Sequence, residues 1–324
     1  MAKPKIALYW CSGCGGCEES VVDLAEDLVT IAESVHIVFW PVAMDYKYQD
    51  VEAMKEGEIA AALINGAIRM DEQERMARML REKSKLVIAH GSCAHLGGVV
   101  GLANFYAQDD LLARAYKEAP SLLNPNNTTP QEKTEESGHT VSLSGMFPYV
   151  KPLDQVIEVD YYLPGCPPPP ELVKDALMAV LAGKLPPRGT VLAETRSLCD
   201  SCSRRESKPE RLTVKAFKRI YETEADPTRC FLDQGIICLG PVTRGGCGER
   251  CLKANMPCRG CFGPLDSVMD QGAKSVSFLT SMLDARDDET MVKVAASIPD
   301  AAGLFYRYSL ASSILGRRRF KETS

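Results

Sequence analysis

The sequence predicts an α/β fold in which a parallel sheet with helices on both faces is followed by a smaller, irregular and mostly helical part. Apolar strand-like runs alternate with helical periodicities up to about residue 186, and glycine- and proline-rich turns dominate after it. Thirteen cysteines recur along both parts in distinct groups. Because a chain of 324 residues usually forms two domains, we predict them at residues 1–186 and 187–324.

Five strands are predicted in the first part, over residues 6–10, 36–40, 60–65, 85–90 and 156–163. Three helices are predicted over residues 18–33, 71–83 and 171–182, and the first repeats its apolar residues with a period of about 3.6. This alternation is typical of a flavodoxin-like parallel sheet. A polar stretch with several prolines, from about residue 109 to 152, is predicted to be an exposed excursion.

The second part has few strand signals. Short helices are predicted over residues 212–222 and 301–315, among glycine- and proline-rich turns. Such a segment is expected to have little apolar core of its own. Metal centres would then supply the missing cross-links, because metal binding and folding are coupled in such domains.

Composition and charge exclude several classes of function. The chain is 45% hydrophobic and 25% charged, which is ordinary for a globular protein. A net charge of −5 offers no electrostatic basis for binding nucleic acid or an anionic membrane. No apolar run approaches the roughly 18 residues of a bilayer-spanning helix, and no secretory signal is visible, so a cytoplasmic protein is expected. Cysteines in that compartment are more often metal ligands than disulfides.

Four cysteines follow strands of the predicted sheet. Cys14 and Cys17 follow the first strand, Cys93 follows the fourth, and Cys166 follows the fifth. Ligands of open α/β sheets bind beyond the carboxyl ends of the strands, so these thiols are expected to converge. Four thiolates are what one [4Fe–4S] cluster requires. The fifth cysteine of the first part, Cys11, is expected to be a buried or loop residue. Its alternative role is to replace a neighbouring cysteine as a ligand.

Eight cysteines in the second part provide ligands for two more clusters: Cys199, Cys202, Cys230, Cys238, Cys247, Cys251, Cys258 and Cys261. Two C-x2-C pairs, at residues 199–202 and 258–261, are the tightest groups. Two zinc sites are the alternative, since such pairs are also typical of structural zinc. Spacing alone leaves open how the eight cysteines divide.

Three segments carry a resemblance to a known family. The segments WCSGCGGCEES, GSCAHLGG and PGCPPPPE resemble the proximal-cluster motifs of [NiFe] hydrogenase small subunits, and the later cysteines also follow the family order. The resemblance covers nearly the whole chain. It implies that Cys14, Cys17, Cys93 and Cys166 hold a proximal [4Fe–4S] cluster, with Glu19 and Ser20 as the family's Glu-Ser pair.

The same resemblance divides the later cysteines. It implies a distal [4Fe–4S] cluster on Cys199, Cys202, Cys230 and Cys238, where Cys199 replaces the family's usual histidine. It implies a medial [4Fe–4S] cluster on Cys247, Cys251, Cys258 and Cys261, where Cys251 replaces a frequent proline. Three all-cysteine clusters without a twin-arginine signal resemble the cytoplasmic F420-non-reducing (methyl-viologen-reducing) hydrogenases.

The resemblance also implies partners. H2 would be split on a nickel–iron large subunit, and electrons would pass to a small iron–sulfur delta subunit and then to heterodisulfide reductase. No catalytic residue is expected on this chain, because the nickel site requires C-x2-C pairs near both chain ends. The alternatives are the gamma subunit of an F420-reducing hydrogenase, or a non-hydrogenase electron-transfer module such as the related complex I subunit. A zinc-stapled structural protein is the third alternative.

Overall fold

A six-stranded parallel sheet organises the first part of the chain. The computed structural model describes residues 3–284, 287–298 and 300–316. The described residues form ten strands, of which six belong to this sheet: β1 (Lys5–Trp10), β2 (His36–Phe39), β3 (Ile59–Asn65), β4 (Ile68–Met70), β5 (Ser84–His90), β6 (Lys133–Glu136), β7 (His139–Ser142), β8 (Met146–Lys151), β9 (Tyr161–Leu163) and β10 (Thr190–Val191). The sheet has the order β10-β9-β5-β3-β1-β2, and every neighbouring pair is parallel. The predicted α/β fold class is therefore confirmed.

Helices connect these strands and make up most of the regular structure after them. They are α1 (Gly16–Val22), α2 (Glu26–Ser34), α3 (Tyr48–Glu52), α4 (Asp71–Lys83), α5 (Gly91–Leu96), α6 (Gln108–Ala113), α7 (Pro170–Ala182), α8 (Leu198–Ser201), α9 (Arg250–Lys253), α10 (Gln271–Thr280), α11 (Asp288–Ala296) and α12 (Ala301–Phe305). Within the described part of the chain, none of the helices has both the length and the apolarity that a bilayer crossing requires.

The sheet separates two apolar cores, because successive side chains of a strand point to opposite faces. On one face, Ala7 and Tyr9 of β1 pack in the same core as Met76 and Leu80 of α4. On the other face, Ile6 and Leu8 pack in a core shared with α1, α2 and α7. Helices therefore cover both faces, and the carboxyl ends of the parallel strands meet at a single edge.

Several predicted elements differ from the structure. The helix predicted over residues 18–33 is two helices, because the chain turns at Ala25, which has a φ of 50°. Only β9 forms within the strand predicted over residues 156–163. The excursion from residue 109 to 152 is largely exposed, as predicted, but its end forms β8, which pairs antiparallel with β4. The sheet also includes β10, for which no strand was predicted. The domain boundary at residue 186 stays a prediction.

A buried carboxylate, that of Asp160, directly precedes β9. The side chain of Asp160 is fully buried and accepts a hydrogen bond from the Val87 backbone N–H, with an N···O distance of 2.7 Å. Arg81 lies 2.6 Å from one carboxylate oxygen, and Arg188 lies 3.0 Å from the other. Asp160 thus joins α4, β5 and the segment before β10.

We expect Asp160→Ala to lower the free energy of unfolding by about 3 kcal/mol, because it leaves the buried Val87 N–H without its acceptor and removes the carboxylate that pairs with Arg81 and Arg188. Urea unfolding followed by circular dichroism measures this. The control is Asp45→Ala, which breaks the exposed pair with Lys47 and should leave the unfolding midpoint unchanged. Equal midpoints for Asp160→Ala and wild type would refute this role.

The second part has a core of its own, contrary to the expectation from sequence. Phe231, Ile236, Leu239, Val242 and Leu310 are among its buried residues. The helix predicted over residues 212–222 is wrong, since only the single 3-10 turn Ile220–Glu222 forms there. The helix predicted over residues 301–315 is limited to α12.

Four described helices of the second part lie outside the predicted ranges, namely the single-turn helices α8 and α9 and the longer helices α10 and α11. Helices α10 and α11 begin after Asp270 and Asp287, whose carboxylates accept hydrogen bonds from the backbone N–H groups of Ala273 and Thr290. An Asp at this position is a common helix start, so these N-caps were a signal available in the sequence.

Candidate metal centres

Four cysteines meet at the carboxyl edge of the sheet, and we call them the first quartet: Cys14, Cys17, Cys93 and Cys166. Cys14 lies in the loop after β1, Cys17 in α1, Cys93 in α5 after β5, and Cys166 in the loop after β9. Burial raises the pKa of the Cys17 thiol, and the nearby Cys93, Cys166 and Cys14 raise it further. The pKa of Cys93 is raised to about 12, mainly by burial and then by Cys166 and Cys14.

Glycines let the backbone approach these thiols closely. A Cβ atom added to Gly91 would lie 2.3 Å from the Cys17 sulfur, and one added to Gly98 would lie 2.3 Å from the Cys93 sulfur. Both glycines also have positive φ angles, of 86° and 59°, which other residues rarely adopt. The two positions therefore require glycine for space and for backbone conformation.

Two serines hold the loop that carries Cys166. The Ser20 hydroxyl of α1 donates a hydrogen bond to the Pro168 carbonyl at 2.6 Å. The Ser92 hydroxyl and backbone N–H of α5 both donate to the Gly165 carbonyl, at 2.8 and 2.7 Å. The three segments that supply the first quartet are thus joined by direct hydrogen bonds.

A second quartet comprises Cys199, Cys202, Cys230 and Cys238, which line one small cavity of about 20 Å³. The pKa of Cys199 is raised to about 12 by burial, with Cys238, Cys202 and Cys230 adding to the rise and Lys208 opposing it. The pKa of Cys238 is raised to about 11 by burial, against the effect of backbone N–H donors.

A buried arginine, Arg204, lines the same cavity as the second quartet. It was not among the residues identified from the sequence. The Arg204 guanidinium is 5% exposed, lies 4.1 Å from the Phe231 ring centroid, and donates to the carbonyls of Asp226, Arg229 and Leu252. Its backbone N–H donates to the Cys202 sulfur at 3.4 Å. Nothing in the local sequence distinguishes this arginine from its exposed neighbour Arg205.

A third quartet comprises Cys247, Cys251, Cys258 and Cys261, which line a cavity of about 240 Å³. Burial raises the pKa of Cys261 to about 12, with further contributions from Cys251, Cys166 and Cys247. Burial also raises the pKa of Cys258, followed by the effects of Cys238 and Cys261. The third quartet therefore has one member beside the first quartet and one beside the second.

Direct contacts join the three quartets in a row. The Ser92 hydroxyl, next to Cys93, also contacts the Cys261 carbonyl, which is an alternative acceptor to Gly165 for its single proton. At the other end, the Cys258 backbone N–H donates to the Cys238 sulfur at 3.4 Å. The eight later cysteines thus line two cavities, and the third quartet lies between the first and the second, while their division into medial and distal ligands stays a prediction. That each quartet binds a cluster stays a prediction.

The residues present fit a [4Fe–4S] cluster at each quartet. Each quartet supplies four thiols, the soft donors that iron–sulfur clusters require. Backbone N–H groups donate to the sulfurs of Cys14, Cys202 and Cys238, which is how proteins stabilise such ligands. Across the described residues, no group of three or more His, Cys, Asp or Glu side chains could hold a single metal ion.

Three residues near the first quartet have non-ligand roles. Cys11 is 5% exposed in the core beneath the sheet edge, and burial raises its pKa, as expected for a structural cysteine. Burial lowers the pKa of His90 to about 4 and that of His95 to about 3, so both rings are neutral at pH 7. The His95 ring packs 4.6 Å from the Tyr162 ring.

The buried acidic residue beside the first quartet is Glu18, whereas the family motif draws attention to Glu19, which is exposed. The Glu18 carboxylate accepts hydrogen bonds from the Trp40 indole and the Asn65 amide. Burial raises the pKa of Glu18, and these two hydrogen bonds partly oppose the rise. Glu18 thus ties α1, which carries Cys17, to the ends of β2 and β3.

Because the folded pKa of Glu18 is raised, its contribution to stability is complete below the ordinary pKa of glutamate and is lost as the pH rises through the raised value. We therefore expect the urea midpoint of wild type to fall, relative to that of Glu18→Gln, over this pH interval. Glu19→Gln is the matched control and should follow wild type. Parallel pH profiles for wild type and Glu18→Gln would contradict the prediction.

Comparison with known protein families gives a match over about half of the chain. Residues 14–180 match the family described as NADH ubiquinone oxidoreductase, 20 Kd subunit. This segment includes the whole first quartet and ends before the second and third quartets.

Curated relatives match over nearly the full length. The iron-sulfur subunit of the F420-non-reducing hydrogenase of Archaeoglobus profundus is 41% identical, over 98% of this chain and 99% of the relative. A subunit of the F420-non-reducing hydrogenase of Methanothermobacter thermautotrophicus is 36% identical, over 99% and 98%. A subunit of the vhu F420-non-reducing hydrogenase of Methanocaldococcus jannaschii is 36% identical, over 97% of each chain.

Solved structures share the fold at low sequence identity. A chain of the [NiFeSe] hydrogenase from Desulfovibrio vulgaris Hildenborough aligns over 82% of this chain and 95% of its own, with a TM-score of 0.52 and 17% identity. A chain of the [NiFeSe]-hydrogenase from Dm. baculatum aligns over 82% and 96%, with a TM-score of 0.51 and 16% identity.

Proposed function

The chain belongs to the family of F420-non-reducing hydrogenase iron–sulfur subunits and is a small subunit of hydrogenase type, and from this we propose that it carries electrons from H2 oxidation through three [4Fe–4S] clusters. The H2-splitting site belongs to a nickel–iron large subunit. The first, third and second quartets hold the proximal, medial and distal clusters, respectively. Each cluster, when bound, accepts and releases one electron.

One observation carries this proposal: the three quartets form a continuous row. Cys261 of the third quartet contacts the first quartet through Cys166, and Cys258 contacts the second quartet through Cys238. In each contact the two cysteines meet directly, without another side chain between them. A set of isolated structural metal sites would have no need for such contacts, whereas electron transfer between clusters depends on short separations.

Binding of iron would change the protonation state of these thiols. Burial raises the pKa of Cys17, Cys93 and Cys261, so without iron these thiols are protonated at neutral pH. Thiolate is the form that binds metal, so loading iron releases protons from these residues. Once ligated, the sulfurs keep the backbone N–H donors that help to set the potential.

The exposed carboxyl edge of the sheet supports a large partner there. Cys14 and Cys166 are both exposed at this edge. Three large apolar side chains at or beyond the ends of β1, β2 and β5 are also exposed, namely Trp10 (39%), Val42 (53%) and Val99 (46%). Exposed apolar groups beside functional residues are typical of a protein interface. We propose that the nickel–iron subunit covers this edge.

Electrons leave, in this proposal, from the second quartet. The acceptors are a small iron–sulfur delta subunit and the heterodisulfide reductase complex, and the whole assembly is cytoplasmic. Family resemblance supports this route. The partial burial of Cys202 and Cys230 in the second quartet also supports electron exit from this end.

The decisive experiment is anaerobic purification of the chain with its bound partners, followed by iron and nickel analysis and an assay of H2-dependent viologen reduction. About twelve irons per chain, with nickel and activity in the complex, are expected. Twelve irons without nickel or activity would assign the chain to a different electron-transfer enzyme. Zinc in place of iron would refute electron transfer altogether.

A further inference from the structure

Three arginines converge beside the third quartet. Arg259 lies in the chain between Cys258 and Cys261, and it lines the 240 Å³ cavity of this quartet. It also lines a small cleft of about 10 Å³ together with Arg219 and Cys258. The pKa of Arg259 is lowered mainly by burial and then by the positive charges of Arg307 and Arg219. The three guanidinium groups are therefore close neighbours.

Within the described part of the chain, carboxylates do not balance the charges of Arg259 and Arg307. Among the described residues, neither Arg259 nor Arg307 forms an ion pair with an acidic side chain. The Nε atom of Arg307 is buried and has no hydrogen-bond partner in the described residues. Neighbouring cations in a partly buried place are unfavourable unless a negative group compensates them. Tyr308, and then Cys251, are the neighbours whose charges oppose the lowering of the Arg259 pKa.

A cluster on the third quartet supplies the compensating charge. An all-thiolate [4Fe–4S] centre is an anion, and it would gain one more negative charge on taking an electron from a reduced neighbouring cluster, which becomes oxidised. Nearby cations stabilise the reduced form more than the oxidised form, because the Coulomb energy grows with the charge of the centre.

We propose that Arg259, with Arg307 and Arg219 behind it, raises the reduction potential of the medial cluster. This inference rests on the proposed function, since it assumes a cluster at the third quartet. Arg259 acts through its charge and does not ligate iron, so it is a tuning residue. Its place between two ligands in C-R-G-C fixes it beside the cluster in every state of the protein.

The test is an EPR-monitored redox titration of the anaerobically purified complex carrying Arg259→Gln. The equilibrium constant for reduction of one cluster should fall about tenfold, which corresponds to a shift of about 59 mV to lower potential. Arg259→Lys keeps the charge and should keep most of the wild-type potential. The other two clusters should change less than the affected one.

Two further variants keep the test decisive. Arg307→Gln should shift the same cluster in the same direction, which covers the case in which Arg259→Gln does not fold. Arg78→Gln removes an exposed helix arginine that pairs with Glu74, and it should change no potential. Unchanged potentials in both Arg259→Gln and Arg307→Gln, or equal shifts in Arg259→Lys and Arg259→Gln, would overturn the inference.

Iron analysis distinguishes this failure from failure of the proposed function. Wild type with about twelve irons and unchanged potentials in the variants would refute only the role of the arginines. A wild-type chain without iron–sulfur EPR signals would refute both.

Discussion

Replacing Cys17 by serine is expected to remove about four of the roughly twelve irons and to abolish H2-dependent viologen reduction. Cys17 is the first-quartet thiol whose pKa is raised by all three other members, so it lies at the centre of the group. A serine hydroxyl is a poor iron ligand at neutral pH. The proximal cluster is the entry point of a serial path, so its loss stops electron flow even if the other two clusters remain.

The control for this experiment is Cys11→Ala, three residues before Cys14 in the same loop. Cys11 lies in the apolar core, and its backbone N–H donates to the Asn65 carbonyl at 2.8 Å. Cys11→Ala should therefore keep all of the iron and the activity, with at most a modest loss of stability. Iron loss in Cys11→Ala, with full iron in Cys17→Ser, would show that Cys11 is the ligand and that our assignment is wrong.

Replacing Gly91 by alanine is expected to eliminate the same cluster without touching any ligand. The added Cβ would lie 2.3 Å from the Cys17 sulfur and 3.4 Å from the Gly165 carbonyl oxygen. Two segments of the first quartet would then have to separate. The φ of 86° adds about 1–2 kcal/mol of strain for any residue with a side chain.

A second glycine separates these two effects. Gly138 has a φ of 80°, and a Cβ there would meet nothing within 4 Å. Gly138→Ala should therefore show the backbone strain alone, about 1 kcal/mol, with full iron content and activity. Measured by iron analysis and thermal unfolding, Gly91→Ala should lose both iron and stability. If Gly91→Ala kept all its iron, the close approach to Cys17 would not matter for the cluster.

Local patterns predicted the sheet well because its strands are continuous apolar runs. The runs that became β1, β3 and β5 are buried on both faces, so they stand out against polar turns. The break between α1 and α2 was not predicted, because Ala25 has no local mark of a positive φ. Strand β4 was missed because its three residues depend on pairing with β8, which lies far along the chain.

The first quartet was predictable for a geometric reason. Cysteines that follow separate parallel strands must meet at the carboxyl edge, whatever their separation in sequence. The later cysteines follow no strand of that sheet, so no such rule divides them. Their grouping became visible only in the folded chain, where the members of each quartet line one cavity.

Local runs and short motifs were enough to predict the α/β class, the family, and the twelve cysteines proposed as ligands. Contacts in the folded chain were needed to find the requirement for glycine at Gly91 and Gly98, the burial of Glu18 and Arg204, and the clustering of arginines around Arg259. These features arise where distant segments pack together. A charged residue or a glycine has the same local signature whether it faces solvent or another segment, so its role depends on contacts that only the folded chain creates.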